Sequence, residues 1–162
     1  MNEICCGRHA IRLEGLRMNK HAIFIFFVLL AIPAGLMDIH LIGIHLTLIS
    51  LPPLLAASFL GPYRGVLVAI VGGMSLLAVN GSVPSSFTHI ACLLGAVWLF
   101  GIIFSKWRAE GAAVVFLCVY GLLCPLIMQS IKSSPSFATF CLSAILNLTI
   151  AHFVYGFFKE KS

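Results

Sequence analysis

The sequence predicts an all-α integral membrane protein: a bundle of six transmembrane helices with both termini cytoplasmic. Three observations carry that expectation. First, of 162 residues 60% are apolar and only 9% charged, with a mean hydropathy of +1.08, whereas a soluble domain carries about 25% charged residues. Ten Lys and Arg and five Asp and Glu cannot cover the surface of a water-soluble fold of this length. A soluble globular protein, a disordered chain and a nucleic-acid-binding domain are thereby excluded, and the lipid bilayer is the expected solvent. Second, from His21 onward apolar runs alternate with short breaks rich in Pro, Gly, Ser and charge. At about 20 residues per span, six spans use most of that length. Third, the basic residues fall on alternate connections.

Residues 1–20 read as a basic cytoplasmic extension, with Arg8, Arg12, Arg17 and Lys20 against Glu3 and Glu14. Met18 is a plausible alternative start. The membrane domain is 21–162. Span one, 22–37, resembles a signal-peptide core but lacks a cleavage site followed by a soluble domain, so an uncleaved span is expected. Asp38-Ile39-His40 is a polar break. Span two, 41–60, is interrupted by Pro52-Pro53 and closed by the turn Gly61-Pro62-Tyr63-Arg64-Gly65. Span three, 66–79, leads into the polar loop 80–86. Span four, 89–105, ends at the charged turn 106–110. Span five, 112–131, is broken by Lys132-Ser133-Ser134-Pro135-Ser136, and span six, 137–158, precedes a charged end. No sustained strand-like alternation suggests an outer-membrane barrel.

Orientation follows from Lys and Arg in the connections. Arg8, Arg12, Arg17, Lys20, Arg64, Lys106, Arg108, Lys159 and Lys161 share one side, and only Lys132 lies on the other. That places both termini in the cytoplasm of a multi-pass protein of the cytoplasmic (inner) membrane, with three loops outward. Tyr63, Trp98 and Trp107 fit an inner aromatic belt.

The outward side gathers Asp38, His40 and His45; Asn80, Ser82, Ser85, Ser86, Thr88 and His89; Gln129, Ser130 and Lys132; and Thr139, Ser143 and Asn147 on the last span. Polar groups in hydrocarbon are costly unless satisfied, so Asn147, Gln129 and His45 are expected to face the bundle interior. Helix–helix hydrogen bonding explains any one of them. A pocket opening outward explains the set. His40, His45 and His89 also invite a metal reading, although a five-residue spacing suits one helix face poorly. Ala31 and Gly35, four apart, let another helix approach closely, either within the bundle or on a partner.

Catalytic signatures are missing. Asp38-x-His40 is a weak pair, there is no phosphate-binding glycine loop, and the six cysteines suggest neither a disulfide framework nor a zinc site. No enzyme activity and no cofactor are expected. The spans also lack the charges of a proton-coupled carrier, so active uptake would draw energy from elsewhere.

The segment from Leu51-Pro52-Pro53-Leu54-Leu55-Ala56-Ala57 through Leu60-Gly61-Pro62-Tyr63-Arg64-Gly65 to Gly72-Gly73 resembles the second-to-third-span hairpin of S components of energy-coupling-factor (ECF) transporters. Size, six spans and cytoplasmic termini are similar too. The resemblance implies capture of a vitamin, a vitamin precursor or a transition metal from outside. It also implies docking on a membrane coupling subunit served by two ATPase subunits. By the family's pocket layout, the substrate would meet Asp38, His40, Asn80, His89, Gln129 and Asn147. Docking would use Ala31 and Gly35, where Ala-x-x-x-Gly replaces the family's Ala-x-x-x-Ala. The nickel and cobalt branch has His after the initiator Met; here Asn2 and Asn19 follow Met1 and Met18, which favours a small, mostly neutral heterocycle. The rival readings are a membrane scaffold or assembly factor without a small ligand, an S component for nickel or cobalt, and a self-contained channel, carrier or small membrane enzyme.

Overall fold

In the computed structural model the chain is a helical bundle that carries one short β-hairpin. The structure describes residues 19–36, 38–41, 44–80, 84–106, 109–130 and 137–160. Residues 1–18 of the N-terminal extension, Trp107, Arg108 and the loop holding Lys132 lie outside the described residues.

The elements in order are α1 Lys20–Leu36, β1 Asp38–Leu41, β2 Ile44–Thr47, α2 Leu51–Leu60, α3 Pro62–Asn80, α4 Pro84–Lys106, α5 Ala109–Phe116, α6 Cys124–Ser130 and α7 Phe137–Glu160. A π-helical stretch, Leu117–Leu123, joins α5 to α6. Four stretches among the described residues are long and apolar enough to cross a membrane: Pro62–Val79, Ser86–Lys106, Ala109–Ser130 and Phe137–Phe158. They make the chain a multi-pass membrane protein. Lys20–Leu36 and Leu51–Leu60 are apolar but shorter.

Spans one and three to six of the sequence reading correspond to helices, but span two does not. Its first half is the strand Ile44–Thr47, paired antiparallel with Asp38–Leu41, and only Leu51–Leu60 is helical. The prolines explain the boundary. Pro52 and Pro53 stand in the first turn of α2, after Ser50, where a missing N–H costs nothing because that donor has no intrahelical partner. They start a helix rather than interrupt one. The following turn agrees with the sequence reading: Gly61 takes a φ of 95°, a conformation that L side chains rarely adopt, and Pro62 opens α3.

Helix α1 packs on α3 through small residues. Ala31 is fully buried, and a Cβ at Gly35 would collide with the Ser75 hydroxyl and lie 2.7 Å from the Gly72 carbonyl. The core runs through Phe27, Leu54, Val68, Leu93, Val97, Phe116, Tyr120 and Ala144. The outside is studded with large apolar side chains, including Phe26, Leu29, Met74, Leu126 and Phe153. Such a coat suits lipid and is hard to reconcile with water.

The π-helical stretch has a local cause. Pro125 has no N–H, so the Gly121 carbonyl loses its α-helical donor four residues on. The Cys124 N–H instead reaches back five residues to the Val119 carbonyl. The Cys141 thiol, from α7, donates to the Gly121 carbonyl at 3.2 Å.

Candidate functional site

Where the exit of the hairpin meets α7, polar side chains converge inside the apolar bundle. Helix α7 contributes Thr139, Ser143 and Asn147. Their spacing of four puts them on one face, and all three are buried. The hairpin exit contributes Thr47 and Ser50, the latter also buried. The Thr47 N–H donates to Ser143 Oγ at 3.1 Å. Asn147 Nδ2 donates to the Thr47 carbonyl at 2.9 Å and to Ser50 Oγ at 2.7 Å. The amide orientation is fixed by chemistry: turned over, its oxygen would face the Thr47 carbonyl, which cannot donate.

One atom of this network has no partner. Asn147 Oδ1 is buried and unbonded, the only such side-chain nitrogen or oxygen among the described residues. A buried acceptor without a donor costs about 1–3 kcal/mol.

A separate aromatic cluster reaches α7 through Phe140. His89 Nε2 and the Tyr120 hydroxyl pair at 2.7 Å, with the proton placed by the imidazole tautomer. His89 meets the Phe140 ring edge-on at a centroid distance of 5.1 Å, and Phe116 stacks on Tyr120 at 5.2 Å. The arrangement offers aromatic faces, an imidazole, a phenol and one unspent amide acceptor.

The hairpin register adds a backbone observation. Asp38 is opposite Thr47 and His40 opposite His45, so positions 38, 40, 45 and 47 share one face of the hairpin. The five-residue spacing that fits no helix face is the spacing of a cross-strand pair.

Of the residues singled out from the sequence, Asn147 is bonded to the hairpin exit and His89 is buried against Tyr120 and Phe140. Gln129 is not: it lies on an exposed face of α6, which corrects its expected inward orientation. The side chains of Asp38, His40, His45 and Asn80 lie outside the described part of the structure. Ala31 and Gly35 face α3 within the chain. Tyr120, Thr47 and Ser50 were not anticipated as site residues. A tyrosine hydroxyl inside an apolar span must find a partner, and that was the available signal for Tyr120. No group of three or more His, Cys, Asp or Glu able to hold a metal occurs among the described residues.

No family profile, curated protein or solved structure matches the chain.

Proposed function

We propose that the chain is the substrate-binding (S) component of an ECF-type uptake transporter in the cytoplasmic membrane, capturing a small, mostly neutral vitamin-like heterocycle from the outer side. In this reading α1 and the hairpin–α2 unit are the first two of six crossings. The nine-to-one distribution of Lys and Arg supports cytoplasmic termini in this reading. The observation that supports the reading is Asn147 Oδ1, a buried acceptor left open on the same helix, α7, whose Phe140 packs against His89 and Tyr120. A ligand N–H would supply the missing donor, and the Tyr120 and Phe140 rings would cover a planar ring system. The chain brings no phosphate-binding loop, so energy would come from a coupling subunit with two ATPase subunits.

Native mass spectrometry of the chain purified from its own membrane tests this. The expected result is a retained small molecule that Asn147→Ala releases, with the ATPase subunits recovered when detergent is mild. A chain that carries no small molecule and recovers no ATPase would favour a scaffold role instead.

A further inference from the structure

The register of the β-hairpin sorts the residues of its two four-residue strands by chemistry. Asp38, His40, His45 and Thr47 share one face, and Ile39, Leu41, Ile44 and Leu46 share the other. On the polar face His40 stands directly opposite His45, and Asp38 is two positions along from His40. Ligand-type residues are scarce in this chain, which has five acidic residues and six histidines among 162. The hairpin holds two of those histidines and Asp38, the only acidic residue between Glu14 and Glu110. One end of the same face is anchored: the Thr47 backbone, opposite Asp38, is bonded to Ser143 and Asn147 of α7.

We propose that this polar face binds one divalent first-row transition-metal ion at the juxtaposition of His40, His45 and Asp38, as a clamp across the two strands. Directly opposed residues of antiparallel strands have Cβ atoms about 4.5–5.5 Å apart, and diagonal ones about 7–8 Å. His45 is opposite His40 and diagonal to Asp38, a spacing from which two histidines and an aspartate can share one ion. Imidazole suits zinc, nickel and iron, and the carboxylate offsets one of the ion's two charges. Three protein donors leave coordination open to water, as in three-ligand zinc sites. Binding is coordination alone, with no electron transferred. A two-stranded hairpin is marginal by itself, so an ion held across the strands stiffens it. The site uses none of Asn147, His89 and Tyr120 and goes beyond the substrate site proposed above.

The test is titration of the metal-free, detergent-purified full chain, carrying no polyhistidine tag, with Co(II) and with Zn(II). Cys5, Cys6 and His9 are further donors in the N-terminal extension, so Cys5→Ser/Cys6→Ser/His9→Gln is the reference protein. It should bind one ion per chain, with imidazole ligation in the X-ray absorption spectrum of bound Co(II) and a Tm that rises with added ion. His40→Gln/His45→Gln should lose the ion. Asp38→Asn, which keeps the shape, should weaken binding by about tenfold or more, since even outer-shell partners of a metal cost about 10–100-fold. His45→Leu/Leu46→His keeps the composition but moves one histidine to the opposite face, and should also lose the ion. The proposal is overturned if the reference protein binds neither ion, if the His40/His45 variant retains one, if the exchanged variant binds as tightly as the reference, or if bound ion leaves Tm unchanged. A thermal unfolding scan of each metal-free variant separates lost binding from lost fold. None of these readouts involves the vitamin-like substrate, so the two readings stand or fall separately.

Discussion

Replacing Asn147 by Ala removes the side chain that ties α7 to the hairpin exit. Two hydrogen bonds are lost, to the Thr47 carbonyl and to Ser50 Oγ. In bilayers such side-chain bonds average about 0.6 kcal/mol and reach at most about 1.7, so the pair contributes about 1–3 kcal/mol. The stranded Thr47 carbonyl adds a desolvation cost of about 1–3 kcal/mol. Relieving the unpaired Oδ1 works in the opposite direction by a similar amount. The expected net loss is therefore modest, about 1–3 kcal/mol, well below what the same bonds would suggest in an otherwise satisfied site. Reversible unfolding in mixed micelles measures it. A double-mutant cycle with Ser50→Ala isolates the 2.7 Å bond, with a coupling of about 0.6–1.7 kcal/mol expected. Asn147→Asp sharpens the contrast: it keeps the shape but presents an acceptor to the Thr47 carbonyl, and should destabilise more than Ala. Zero coupling to Ser50, or an Asp variant as stable as the parent, would refute the assigned amide orientation and with it the open acceptor.

Tyr120→Phe and His89→Phe should each destabilise the fold by about 1–3 kcal/mol, because each strands the buried partner of the 2.7 Å pair; thermal unfolding of the two variants checks it. Gly35→Ala should lower stability by forcing α1 off Ser75 and the Gly72 carbonyl, whereas Gly95→Ala, with open space around it, should be neutral or gain up to about 1 kcal/mol of helix propensity. The same contact means that a bulky residue at Gly35 disturbs the bundle itself, so lost partner recovery in such a variant needs a folding control. Cys141→Ala leaves the Gly121 carbonyl without its donor and should cost about 1 kcal/mol, while Cys141→Ser, which retains an O–H, should restore most of it in the same assay. Reporter fusions at the two ends should both register in the cytoplasm; opposite faces would contradict the arrangement of Lys and Arg on which the orientation rests.

Most of the helices were legible because hydrophobicity over about 20 residues is a strong, local signal. The run at 137–158 is the clearest case, coinciding with the apolar stretch Phe137–Phe158. The error at span two has two physical sources. A short apolar run such as Ile44-His45-Leu46-Thr47 does not distinguish strand from helix by hydropathy, and its β-branched residues were the available hint. Pro52-Pro53 was weighed as a breaker when Ser50 before it marked the start of α2. At the candidate site, Asn147 was legible because an amide inside an apolar span must be satisfied. Its partners were not, because Thr47 and Ser50 are separated from it by 100 and 97 residues and no periodicity links them. Gln129 shows the limit of the same rule: close to the end of α6 at Ser130, it is exposed rather than turned inward.

The polar stripe on α7 and the hairpin explain each other, and that relation decides how much of the site needs a ligand. Backbone that leaves helical geometry at membrane depth is tolerated only where protein or a water-filled cavity satisfies its polar groups. The exit from β2 is such a place, and Ser143 and Asn147 supply an acceptor for the Thr47 N–H and a donor for its carbonyl. A purely structural role therefore accounts for Ser143, for Asn147 Nδ2 and for Ser50. The amide supplies both donated bonds, where a serine or threonine hydroxyl could donate only one, and it brings with it an acceptor that is left unpaired in the core. That unpaired acceptor is the one atom of the network that bracing the hairpin leaves unexplained.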